Sequence, residues 1–119
     1  MKTLRAILTT MLLTAVVTAC QSTSEPNGPA AITGSIVARN VTIPAGSPSI
    51  HVKETLATPC GIVFRMGLST RVLRRAADGR ITRASQSDLS VGQQVKVWAG
   101  AIAESCPGQG AAEVVEIIE

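Results

Sequence analysis

Gln94-Val95-Lys96-Val97-Trp98-Ala99-Gly100-Ala101 sets Val95, Val97 and Ala99 against Lys96, Trp98 and Gly100. That period of two predicts a half-buried β-strand. The same alternation runs upstream, where Ile32, Gly34, Ile36 and Ala38 interleave with Thr33, Ser35, Val37 and Arg39. After the break Pro44-Ala45-Gly46-Ser47-Pro48, residues 49–55 repeat it, with Ile50, Val52 and Leu56 against His51, Lys53 and Thr55. Ile62-Val63-Phe64-Arg65-Met66 is a short apolar strand ended by Gly67. Residues 71–75 and 80–84 flank Ala76-Ala77-Asp78-Gly79, and Asp-Gly is strong hairpin-turn chemistry. A Cys-Pro-Gly turn at 106–108 precedes a last strand over 111–118. No long helix is predicted beyond residue 19. Five or six short strands with Gly and Pro breaks imply an all-β, small antiparallel barrel.

The core of such a barrel is thin. Trp98 and Phe64 are the only aromatics in 119 residues, and aromatic side chains bury the most area per residue. Val, Ile, Leu and Ala must do the packing, so a further restraint is expected.

The chain begins with a positive head, Lys2 and Arg5, followed by an apolar, Thr-rich stretch from Ala6 to Val17 and small residues before Cys20. This is the pattern of an export signal, and its apolar part is too short to span a bilayer of about 30 Å. Val17-Thr18-Ala19-Cys20 resembles the lipobox of bacterial lipoproteins. The resemblance implies diacylglyceryl transfer to the Cys20 sulfur, cleavage before it, and acylation of the new amino terminus, palmitate included. Residues 1–19 are then the signal, 20–30 a lipidated cysteine and flexible tether rich in Ser, Pro, Asn and Gly, and 31–119 the folded domain. Two or more acyl chains hold a protein stably on a membrane. The expected location is extracytoplasmic and lipid-anchored, on the outer membrane if the source is Gram-negative, since Gln21 follows the cysteine.

Removing residues 1–19 takes Lys2 and Arg5 away, leaving nine Lys and Arg against eight Asp and Glu. The near-neutral remainder and the scarcity of aromatics argue against nucleic acid as a partner. With Cys20 assigned to lipid, Cys60 and Cys106 remain. An exported, even pair favours a disulfide. The alternatives are free thiols or a metal or redox site. His51 is the only histidine, and the two cysteines are not spaced C-x-x-C.

Leu89-Ser90-Val91-Gly92-Gln93-Gln94-Val95-Lys96-Val97-Trp98, followed by Glu104-Ser105-Cys106-Pro107-Gly108-Gln109, resembles the end of an uncharacterised family of small secreted bacterial proteins. That family ends "L-x-V-G-D-x-V-x-V-W … E-S-Y-P-x-Q". The resemblance implies an OB-like barrel and brings no activity with it. Cys106 stands where the family commonly has Tyr.

Chemistry is sparse. A hydrolytic site needs a nucleophile, a base and an orienting group, and His51 sits on the polar side of its strand. Glu104, Glu113 and Glu116 read as surface charges. No catalytic residue, metal ligand set or cofactor motif is identified, and the expectation is a non-enzyme. The binding candidates are Arg71, Arg74, Arg75, Arg80 and Arg83 around the hairpin, with Trp98 a further candidate. Alternation sends Arg71, Leu73 and Arg75 to one side and Val72 and Arg74 to the other, so the arginines cannot form one flat patch. Arginine forks suit phosphate and carboxylate. The expected function is a binding module for an anionic envelope component, such as lipid or polysaccharide, or contact with an envelope protein. The other reading is a structural or assembly accessory of an envelope complex, and charge on an edge hairpin also protects against edge-to-edge pairing.

Overall fold

A computed structural model describes residues 23–40 and 48–119. The export signal and Cys20 lie outside the described residues, as do residues 44–47 of the Pro/Gly break. Seven strands follow in chain order: β1 (Ile32–Arg39), β2 (Ser49–Lys53), β3 (Ile62–Arg65), β4 (Arg71–Arg75), β5 (Ile81–Ala84), β6 (Gln94–Ala99) and β7 (Gly108–Ile118). A 3-10 turn at Gln86–Asp88 is the one helical element among the described residues. The fold is all-β and OB-like.

Five strands close the barrel in the order β3-β2-β1-β6-β7, with β3 pairing back to β7. Most pairings are antiparallel, but the closure is not. Residues 62–65 of β3 run parallel to residues 108–111 of β7. Farther along the same strand, residues 114–118 pair parallel with β4, and β5 extends the sheet beyond it. The sequence reading expected an antiparallel barrel of five or six strands. The two parallel pairings arise because β7 is long enough to take β3 and then β4 as neighbours while β6 lies antiparallel to it.

Two bulges bend the sheet into a barrel. Val37 is the extra residue where Ile36 faces Val52 and Ala38 faces His51. Glu113 is the extra residue where Trp98 faces Val114 and Ala99 faces Ala112. The second bulge lets Ala112 and Val115 both face the core. Gly34 is required where β1 crosses β2, because a Cβ there would overlap the Lys53 carbonyl.

The core is aliphatic apart from Phe64. Ile36, Ile50, Val52, Val72, Leu89, Val95, Val97, Val115 and Ile117 surround it, with Met66 closing one side. Leu56, read as a strand residue, is exposed in the loop after β2, because β2 ends at Lys53. A second cluster of Leu73, Trp98 and Val114, with Ala30 and Ile81 against it, lies on the outer face.

Cys60 and Cys106 are joined by a disulfide, with their Cα atoms 4.9 Å apart. It ties the β2–β3 loop to the β6–β7 loop. The Cys60 carbonyl lies 2.8 Å from His51 Nε2. Gly61 takes φ +64°, and a Cβ on it would press on the Val52 carbonyl and the Lys53 side chain. The bridged cysteines are 46 positions apart in sequence, and the chain-entropy relation gives about 4 kcal/mol for a loop of that size. Replacing both cysteines with Ala is therefore expected to lower unfolding stability by about 4 kcal/mol, measured by urea titration against the oxidised protein. Equal midpoints would show that the aliphatic core needs no such restraint.

Candidate functional site

Three of the hairpin arginines, Arg74, Arg75 and Arg80, pair with the protein's own acids. Arg74 Nη1 donates to Glu119 Oε2 at 2.6 Å and lies near Asp88. Arg75 Nη2 donates to Glu25 Oε2 at 2.5 Å. Arg80 lies 3.5 Å from Asp78 in the same turn, where Asp78 also accepts from the Arg80 amide. Arg71 and Arg83 have partners as well. Arg74 and Arg75 point to opposite faces of β4, as alternation requires. Arg74, Arg75 and Arg80 each sit in an ion pair of their own.

Trp98 is almost fully buried, and its indole Nε1 donates to the Gly28 carbonyl at 3.2 Å. Ala30 packs against it, and the Ala31 amide donates to the Val97 carbonyl at 2.7 Å. Trp98 is therefore covered by the N-terminal segment, neither open to a ligand nor a lid on the barrel's end. The same contacts correct the tether. From Glu25 onward the segment lies on the outer face of β4, β6 and β7, so the folded unit begins before residue 31.

Beneath that segment sits an acid pair. Glu116 projects from the outer face of β7 and is fully buried, which corrects its reading as a surface charge. Its Oε1 lies 3.6 Å from Arg75 Nε. Lys96, directly opposite on β6, reaches Glu25 at 3.9 Å. Burial pushes the Glu116 carboxyl up to about 7, reinforced by its hydrogen bond with Glu25 and by the Glu25 charge. That hydrogen bond, together with Arg75, holds Glu25 below the usual carboxylate range. Glu25 in turn holds the proton on Arg75 more firmly. The arrangement is a buried carboxyl set beside a second acid, with Arg75 and Lys96 flanking the two. Among the described residues, neither Glu116 oxygen meets a hydrogen-bond donor in good geometry, which favours the neutral carboxyl.

A different feature is open to solvent. A cleft of about 280 Å³ lies between the end of β3 and the middle of β7, lined by Arg65, Met66, Gly67, Ser69, Thr70, Ala111 and Ala112. Thr70 Oγ1 donates to the Ala112 carbonyl at 2.7 Å and accepts from the Gly67 amide at 3.0 Å, which fixes the floor. Arg65 is exposed at the rim and has no ion pair among the described residues. Leu68 stands exposed beside it.

Neither Arg65 nor the Glu25–Glu116 pair was among the sequence candidates. For Glu116 a signal existed: one acid inside Val-Val-Glu-Ile-Ile is flanked by residues that demand burial. For Arg65 none existed, because its freedom depends on where every other acid falls. His51 is half-buried and engaged with the Cys60 carbonyl, and among the described residues it has no carboxylate partner. Among the described residues, no group of three or more His, Cys, Asp or Glu side chains could hold a metal ion.

These features describe a small disulfide-bonded OB-like barrel with an appended hairpin and a latched N-terminal segment. The profile of a family of proteins of unknown function, DUF3221, matches residues 70–119. The match takes in β4 to β7 and leaves out β1 to β3. No curated protein and no solved structure gives a significant match to the chain.

The acid pair makes stability depend on pH with a definite sign. Glu116 is raised from 4.5 to about 7, so its contribution is complete below about 4.5 and is lost as pH rises through about 7. The depressed Glu25 acts oppositely, at lower pH. The melting temperature is expected to fall between pH 5 and pH 8, a loss on the order of 3 kcal/mol at most. Glu116→Gln, which mimics the protonated carboxyl, should flatten that slope. A Gln variant that keeps the full slope would remove Glu116 as its source.

Proposed function

We propose that the protein is a non-enzymatic, lipid-anchored extracytoplasmic module that binds an anionic component of the cell envelope through Arg65. Arg65 carries this reading. It is exposed, without an ion pair among the described residues and set at the rim of a cleft, whereas Arg74, Arg75 and Arg80 each have an acidic partner. The guanidinium fork suits a phosphate or carboxylate bidentately. Ser69 and the adjacent backbone supply further polar contacts, and the cleft is at the small end of the range for ligand pockets. It fits one charged group of a polymer and not a whole sugar chain.

The extracytoplasmic assignment rests on the lipobox-like Val17-Thr18-Ala19-Cys20 and on the Cys60–Cys106 disulfide, a bond that persists in oxidising compartments. Envelope polymers supply the ligand chemistry there, as glycerol-phosphate chains, lipopolysaccharide phosphates or uronic acids.

Titrating glycerol-phosphate oligomers and uronic-acid oligosaccharides into labelled protein, followed by NMR, is expected to shift residues 65–70 and 111–112 first. Arg65→Ala should weaken binding about tenfold or more, as loss of one charge-assisted pair implies. Arg74→Ala should leave it unchanged. Shifts confined to the hairpin, or an Arg65→Ala protein that binds as well as the native one, would overturn the assignment.

A further inference from the structure

The N-terminal segment was expected to hold the domain loosely, yet Glu25 is fixed against Arg75 and Lys96. We propose that this contact shortens the lipid anchor into a leash that seats the domain, hairpin turn first, on the headgroups of its own membrane. The inference rests on the anchor assigned to Cys20 above.

Chain length is the first argument. Glu25 is five positions from Cys20, at most about 18 Å of extended chain. A tether free up to Ala31 would span up to about 40 Å. Fixing Glu25 removes more than half of the reach, so the point where Glu25 sits must stay close to the membrane.

Direction is the second. The segment passes from Ala31 beside Val97, through Gly28 over Trp98, to Glu25 beside Arg75 and Lys96. Traced backward, it moves toward the end of the sheet where Arg75 and Gln94 both face Ile118. The Ala76-Ala77-Asp78-Gly79 turn, the C-terminal Glu119 and the Val91-Gly92 turn lie at that end. The anchor therefore leaves the domain beside the hairpin turn.

The chemistry of this end suits a headgroup layer. Ala77 and Gly79 are small and exposed, Arg80 and Asp78 present both charges, and Val91 is the large apolar side chain exposed there. Among the described residues, nothing on this end is apolar enough to insert deeply. The disulfide and the loops it ties sit at the other end of β7, whose eleven residues extend about 35 Å. This orientation keeps those loops, and the Arg65 cleft midway along β7, away from the lipid.

The test uses full-length protein isolated from membranes and reconstituted into vesicles of phosphatidylethanolamine and phosphatidylglycerol. A dye is attached through an unnatural amino acid at position 77 or 104, and acceptors are carried on the headgroups. Energy transfer from position 77 should exceed that from position 104 by about twofold or more, given ends about 35 Å apart. Glu25→Ala, checked for a native fold by its amide NMR spectrum, should bring the two values together. Equal transfer in the native protein, stronger transfer from position 104, or a bias that survives Glu25→Ala would overturn the leash. Mass spectrometry of the same sample separates the two claims. Acyl mass on Cys20 with equal transfer overturns the leash alone, whereas a chain without acyl mass overturns the anchor and the leash together.

Discussion

β7 is buried on both of its faces, and the rest of the structure is arranged to allow it. From Val114 to Ile117 no residue is exposed. The inward side chains, Val115 and Ile117, belong to the barrel core. The outward ones, Val114 and Glu116, cannot be left to solvent without exposing Trp98 and Leu73 beside them. A second layer is needed. The appended hairpin supplies part of it, and the segment before β1 supplies the remainder through Gly28, Ala30 and Glu25.

A carboxyl in the middle of such a strand has a cost. Taking an unpaired charge out of water is far more expensive than protonating it. Burial accordingly raises the Glu116 carboxyl toward its neutral form, and Arg75 and Lys96 lie against the charge of Glu25. Buried ion pairs add little net stability over apolar packing, and their attested use is to specify an arrangement. Here the arrangement specified is the path of the N-terminal segment. An aliphatic replacement at position 116 could pack as well, but it would not hold Glu25.

Much of the barrel was legible in the sequence. The alternations at residues 32–38 and 94–99, and the Asp78-Gly79 turn, follow from local rules of strand and turn chemistry. The parallel closures of β7 were not legible, because register between strands distant in sequence leaves no local pattern. Trp98 was misread for a related reason: a period of two says that it faces outward, and says nothing of what covers it. Glu25 sits 50 residues from Arg75, inside a Ser/Pro-rich stretch whose composition reads as tether. Composition describes a segment alone and cannot see the cation waiting for it. The hairpin arginines stood out by number, but number does not distinguish a paired guanidinium from a free one.

The central claim is that residues 25–31 are a layer of the folded domain and not part of a loose tether. Hydrogen exchange of the Trp98 indole N–H and the Ala31 amide tests it most directly, since these groups bond across that layer to Gly28 and Val97. The account predicts that both exchange slowly, with protection close to that of the β6–β7 amides. Exchange at the rate of an open chain at these two groups, with β7 still protected, would contradict it.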